Sequence, residues 1–230
     1  MRRPLVLVLL VVAACAPARQ PTPKSAPPEM SGFLDDYAIL QPGGPGEADL
    51  RYRNPNADWK KYDKALFEPV TIWRSGRKSL DEIPEADLQR LAIGQSAAVK
   101  ACLRKEIQLV DQPGPGTMRI RLALTLAKGD DPVLDVYTMV GGKPAKGTAQ
   151  RPLAPTTRAF VAAAAIEGEV SDSVTREVLA EGVNRSFAHQ SRHDHPETWE
   201  DVDENFQHWA TWLCGRLRAV REGQPSAPAP

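Results

Sequence analysis

The sequence predicts a single α+β domain, a mostly antiparallel sheet of about five strands with two long helices packed on one face. Three observations carry that expectation. Pro84–Val110 and Thr198–Val220 repeat apolar residues at steps of three and four, the period of a helix with one buried stripe. Met118–Ala127 alternates, with Ile120, Leu122, Leu124 and Leu126 on one face and Arg119, Arg121 and Thr125 on the other, the period of a half-buried strand. Shorter strand-like runs between Pro- and Gly-rich breaks complete the set, and two helices with about five strands make a mixed α+β domain.

Each element has its own signal. In Ser31–Leu40, Phe33, Leu34, Tyr37 and Leu40 fall at helical spacing, which predicts a single turn or short helix docked on the core. QPGGPG over 41–46 breaks the chain. Arg51–Trp59 reads as a strand and then a turn, and Ala65–Trp73 as a strand that Pro69 confines to an edge or a bulge. The first long helix starts at Pro84, a residue suited to the first helical position, with Glu85 and Asp87 at its positive end and Arg104 and Lys105 at its negative end. Gly114 and Gly116 mark a turn, and Val133–Val140 is a further strand candidate. Ala159–Val170 and Val174–Asn184 read as a hairpin around Ser171-Asp172-Ser173. The run Ala162–Ala165 has helical propensity, but the alternation over Ile166–Val170 favours strand. In the second long helix Trp199, Val202, Phe206, Trp209, Leu213, Leu217 and Val220 form the stripe, and Gly223 suits its C-terminal cap.

Composition removes several classes of protein. The chain has 230 residues, 42% hydrophobic and 25% charged, which excludes a wholly disordered or collagen-like polymer. Lys and Arg number 29, as do Asp and Glu, so no net field attracts nucleic acid. One long apolar run, at the N-terminus, excludes a polytopic membrane protein, and three Cys are too few for a disulfide-framed miniprotein.

The N-terminus speaks about location. Arg2 and Arg3, the apolar run Leu5–Val12 and the small residues Ala13 and Ala14 have the make-up of a secretory signal peptide over residues 1–14. Val12-Ala13-Ala14-Cys15 resembles the bacterial lipobox. The resemblance implies cleavage before Cys15 and acylation of its thiol and new amine, palmitate-type chains that anchor stably when two or three are present. Ala16, where Asp would retain the protein in the inner membrane, implies sorting to the outer membrane. Residues 15–30 then form a lipidated, Pro-rich tether with five Pro between Ala16 and Met30, residues 31–221 the globular domain in the periplasm, and residues 222–230 a disordered tail.

Candidate chemistry is sparse. His189, His193 and His195, with Asp194, have ligand types that suit zinc, but their order does not match a helical His-Glu-x-x-His site and Pro196 interrupts; a polar surface loop accounts for them, and we expect no metal. Cys102 and Cys214 sit on or beside the stripes of the two helices; in an oxidising compartment they are either a disulfide or two inert buried thiols. Ser96 in Gly94-Gln95-Ser96 falls inside a helix and lacks a nucleophile elbow. Gly141-Gly142-Lys143 lacks the rest of a phosphate-binding loop. Asp35 and Asp36 are adjacent and diverge on any regular element. Trp59, Tyr62 and Trp73 line a ligand groove or plug the edge of the core.

The stretches SGFLDDYAIL (31–40), YRNPNADWKKYDKALFEPVTIW (52–73), RIRLALT (119–125), EGEVSDSVTREVLAEGVNR (167–185) and FQHWATWLCGRL (206–217) resemble a bacterial lipoprotein family catalogued as domain of unknown function 3313. The resemblance spans nearly all of the domain and implies an outer-membrane lipoprotein; it carries over no catalytic residue. Arg176 stands where such turns often have Gly, so a positive φ there would carry a steric cost. The expected function is therefore that of a non-enzymatic outer-membrane lipoprotein, without cofactor, that binds another envelope protein as a structural or assembly accessory. A carrier of a small apolar ligand held between helix and sheet is the alternative, and a hydrolase built on the His189–His195 region a further one.

Overall fold

The alternation of Met118, Ile120, Leu122 and Leu124 makes β6 (Thr117–Leu126) the spine of an eight-stranded sheet. The computed structural model describes residues 30–44, 46–74, 78–126, 152–184 and 196–223. The other strands are β1 (Gln41–Pro42), β2 (Leu50–Arg53), β3 (Lys64–Phe67), β4 (Thr71–Ile72), β5 (Gln108–Leu109), β7 (Ala164–Asp172) and β8 (Val178–Asn184). They lie in the order β1-β2-β8-β7-β6-β3-β5, with β4 also on β6. The half from β1 to β6 is antiparallel, whereas β3 and β4 run parallel to β6 and β3 runs parallel to β5.

This corrects the five-stranded, mostly antiparallel expectation: the sheet has eight strands of mixed direction, and the described residues hold three helices rather than two. The cause is local. β4 and β5 are two residues long and β3 four, too short to express a period. Pro69 splits the run expected as one strand, yet both halves pair with β6 at Lys64↔Thr117 and Thr71↔Ala123. The 22-residue helix α1 (Glu85–Glu106) lies between β4 and β5 and returns the chain in the same direction, the crossover a parallel pair requires. The third helix, α2 (Pro155–Ala163), takes in Ala159–Ala163, which were expected as the start of a strand; Pro155 starts it and the alanines sustain it, so propensity decides until β7 begins at Ala164. Val133–Val140 lies outside the described residues.

Ser31–Leu40 is an irregular segment rather than a helix. The Tyr37 hydroxyl accepts from the N–H groups of Gly32, Phe33 and Leu34 at 3.1, 3.0 and 3.2 Å, and so satisfies backbone that a helix would have satisfied internally. Phe33 and Leu34 are nonetheless buried, on Ala123 and Val183.

The two sheet faces differ. Ile120, Leu122, Leu124 and Ile166 point toward one large core shared with Leu88, Leu91 and Val99 of α1, Phe160 of α2, and Val202, Phe206 and Trp209 of α3 (Trp199–Arg221). Thr198 and Asp201 form a reciprocal cap at the start of α3, and Gly223, at φ 72°, closes its end. Gly94 of α1 permits the α1–α3 approach, since a Cβ there would sit 3.2 Å from the Phe206 ring. Further along the pair Cys102 and Cys214 face each other with Cα atoms 6.3 Å apart, inside the span of a disulfide. Arg218 binds the Glu106 carboxylate, and Arg221 Nη1 donates to the Glu106 carbonyl at 2.9 Å. No helix among the described residues is long and apolar enough to cross a membrane.

Candidate functional site: an apolar cavity between helix and sheet

The inner face of β7 and β8 carries two glycines as direct Cα partners, Gly168 and Gly182, flanked by Val170 and Ala180. Gly168 leaves room for the Leu122 side chain, which a Cβ there would meet at 2.7 Å, and both glycines line the space between the sheet and α3. A cavity of about 180 Å³ remains. Trp209, Leu213, Leu217 and Val220 of α3 form its roof, Ile120, Leu122 and Ile166 part of its floor, and Trp59, from a 3-10 turn at Trp59–Lys61, a further wall.

Charged residues also line it. The Glu47 carboxylate, 9% exposed, holds Arg51 and, at 2.8 Å, Arg216, and it caps the Gly44 N–H at 2.9 Å. Arg216 rests over the Trp212 ring, whose indole N–H donates to the Gly46 carbonyl at 3.1 Å. Arg53 is exposed and without a partner among the described residues. The indole N–H groups of Trp59 and Trp209, two of the lining residues, are buried and have no acceptor among the described residues.

The opposite face of the sheet carries a polar network. Glu167, Glu169 and Glu181 alternate with Gly168 and Gly182 and therefore point away from the cavity core. Tyr37 donates to Glu167 Oε2 at 2.5 Å and Thr125 to its Oε1 at 3.1 Å. Arg121 Nη1 and Ser171 Oγ donate to Glu169 at 3.1 and 2.9 Å. Burial, helped by Glu169, Asp36 and Asp35, pushes the Glu181 carboxyl up to about 7. Burial also pushes Tyr37 up, and its bond to Glu167 adds to the effect.

The sequence-predicted residues fare unequally. Cys102 and Cys214 are brought together. Of the aromatic trio only Trp59 lines the cavity. Trp73 packs edge-on against Phe33 on the other face and donates to the Ser31 carbonyl at 3.1 Å, while Tyr62 is fully buried and donates to Asp172 at 2.9 Å. Ser96 lies within α1, where its hydroxyl accepts from the Val70 N–H at 2.8 Å. Asp35 and Asp36 are exposed, near enough to Glu181 to raise its pKa. Cys15, His189, His193 and His195 lie outside the described residues, among which no group of three His, Cys, Asp or Glu is placed to hold a metal. Sequence reasoning missed the glycine pair, the second Trp donor and the buried glutamates. The alternation Ile166-Glu167-Gly168-Glu169-Val170 marked the two faces, but nothing in it says that both would be covered.

The family described as Protein of unknown function (DUF3313) matches residues 29–213. The chain belongs to that family. Two relatives, each named uncharacterized lipoprotein YdcL, come from Escherichia coli K12 and Escherichia coli O157:H7. Each is 24% identical over 209 residues, 88% of this chain and 89% of the relative. Among solved structures a PelC L103M dodecamer from Paraburkholderia phytofirmans is similar over 72% of this chain and 95% of its own, at 10% identity and a TM-score of 0.32, too low to bear an argument.

Proposed function

We propose that this family member is an outer-membrane lipoprotein that acts by binding rather than by catalysis, and that it holds a small apolar ligand between α3 and the sheet. The cavity is the observation that carries the reading: a space of about 180 Å³ with aromatic and aliphatic walls and arginines among its lining residues. Ligand sites are concave, mostly apolar and furnished with a few polar groups, and this one has that composition. The lipobox at Val12–Cys15 and the lipoprotein names of the two relatives support anchoring through Cys15. Cys15→Ser should move the protein from the membrane to the soluble fraction; a variant that still pellets with membranes removes that part of the proposal.

A protein partner was the first expectation from sequence. The large apolar side chains exposed among the described residues are Met30, Ile93 and Val174, on three separate elements, so the cavity is the stronger binding feature. The test is displacement of an environment-sensitive apolar dye. The expected result is one saturable site whose signal is lost when Leu213→Trp fills the cavity. Dye binding unaffected by that change, in a protein that still folds, would place the site elsewhere and remove the proposal.

A further inference from the structure

We infer that the ligand of this cavity is a compact acid, an apolar ring or short chain whose carboxylate sits among Arg51, Arg53 and Arg216 at the β2 edge; the inference rests on the binding role proposed above. The register fixes the face from which two of these cations project. Arg51 and Arg53 are the Cα partners of Gly182 and Ala180, and directly paired residues share a face of the sheet. That face is the one beneath α3, since Ala180 packs against the large core and both partners line the cavity. Arg216 comes down from α3 to the same place: its guanidinium and that of Arg51 close on one carboxylate, Glu47. Arg53 is exposed and also lines the cavity, so the space meets solvent at this edge.

Charge decides the head group. On this face the lining holds three arginines and one carboxylate, Glu47, whereas Glu169 and Glu181 alternate onto the opposite face together with Tyr52. The edge therefore carries positive charge that the fold leaves unbalanced, and Arg53 has no ion pair among the described residues. A cation would be repelled there, and a neutral ligand would leave the excess uncompensated. Glu47 shows what these arginines accept: Arg51 and Arg216 both bind its carboxylate, the fork-to-carboxylate pairing that a guanidinium favours. Arg53 offers the same fork to a second carboxylate, the one the ligand brings. The remainder of the ligand must be apolar, because Ile120, Leu122, Leu213 and Leu217 line the interior. An apolar cavity of roughly 150 Å³ accepts benzene, so about 180 Å³ accepts a ring with a short arm that reaches the arginines.

The experiment titrates three probes of nearly one shape into the full chain carrying Cys15→Ser, by calorimetry at neutral pH: 3-phenylpropanoate, 3-phenylpropanamide and 3-phenylpropylamine, an anion, a neutral molecule and a cation. The expected order of affinity is anion, amide, cation. The anion should bind about tenfold more tightly than the amide, since a hydrogen bond to a charged group at a wet edge is worth about a factor of ten. That gap should narrow as salt is added. Arg53→Gln should shrink the preference severalfold, whereas Arg74→Gln, which removes the same charge from a residue outside the cavity lining, should keep it. Leu213→Trp should abolish binding of all three probes. Equal affinities, a preference that survives Arg53→Gln, or one lost equally in Arg74→Gln overturns the acid inference and leaves the cavity reading standing, as does anion binding that survives Leu213→Trp while amide binding is lost. If no probe binds, the cavity reading fails and takes this inference with it. Arg53 and Arg74 are side chains at the surface, so the comparison between their variants does not depend on a core substitution that folds.

Discussion

Glu169 and Glu181 stand directly opposite each other as Cα partners on β7 and β8, two buried carboxyl groups on one face of the sheet. Glu169 is neutralised by Arg121 and bonded by Ser171, while Glu181 Oε2 has no partner among the described residues. Burial and the neighbouring acids therefore raise the Glu181 carboxyl from 4.5 to about 7. A raised folded pKa means that the folded state holds a proton the unfolded chain has released. Stability should therefore fall as pH rises from about 4.5 to about 7 and level off above that. Glu181→Gln should flatten this slope and stabilise the fold by about 1–3 kcal/mol at pH 8. Urea melts at several pH values check it; an unchanged slope would show that another group titrates.

Asp172 behaves in the opposite sense. Burial pushes its carboxyl up, but the N–H groups of Thr175 and Val174, the Tyr62 hydroxyl and Lys61 outweigh burial and hold it at about 2. Its stabilising contribution is present above the ordinary value of 3.8 and is lost as pH falls toward 2. Tyr62→Phe removes a buried donor to the carboxylate and should cost about 1–3 kcal/mol at pH 7. The loss should shrink in melts carried from pH 3.8 down toward 2, where the unfolded carboxyl is already protonated and the contribution of the folded carboxylate fades. A constant difference across that range would count against this assignment.

The same turn stores a steric cost. Arg176, at φ 67°, is the one non-glycine residue with positive φ among the described residues, held by its N–H to the Asp172 carbonyl at 3.0 Å. Left-handed backbone costs an L residue roughly 1 kcal/mol that glycine avoids. Arg176→Gly should stabilise the domain by about 0.5–1 kcal/mol by thermal melting; a lower melting temperature would show that the Arg side chain contributes more than its backbone costs.

Long periodic segments were legible in the sequence, and short or two-sided ones were not. The helices α1 and α3 and the strand β6 each repeat a pattern over ten residues or more, so their buried stripes could be read directly. β4 and β5 exist because β6 and β3 offer open edges, a tertiary cause that two residues cannot encode. The expected helix at Ser31–Leu40 failed because the Tyr37 hydroxyl gives its backbone another partner. The cavity was hidden for a related reason. Cavities are made by what is absent, and Gly168 and Gly182 look like weak strand residues until their register places them side by side beneath α3.

Cys102 and Cys214 offer a prediction that depends on compartment. They are 112 residues apart in sequence and 6.3 Å apart at Cα. In an oxidising environment the bridge should form, and closing so long a loop is worth about 4–5 kcal/mol in the chain-entropy model, with 2–5 kcal/mol the usual range. Thiol titration of the denatured protein before and after reduction should differ by two groups. Reduction should lower the midpoint of urea unfolding. Equal thiol counts in material taken from the periplasm would mean two buried free thiols.

Gly182 separates binding from stability. A Cβ at this position meets the Ala48 Cβ at 3.4 Å and the Leu50 carbonyl at 3.8 Å, ordinary contacts that need no backbone movement. By contrast, a Cβ at its partner Gly168 would come within 2.7 Å of Leu122, so the two glycines are not equivalent. Gly182→Ala should therefore keep or raise stability by about 0.5–1 kcal/mol, because alanine loses less backbone entropy on folding. The same methyl enters the cavity wall and should weaken apolar dye binding severalfold, and a larger Gly182→Val should abolish it. A Gly182→Ala protein that melts no lower than wild type and binds the dye undiminished would show that the space above the glycine pair is not where the ligand sits.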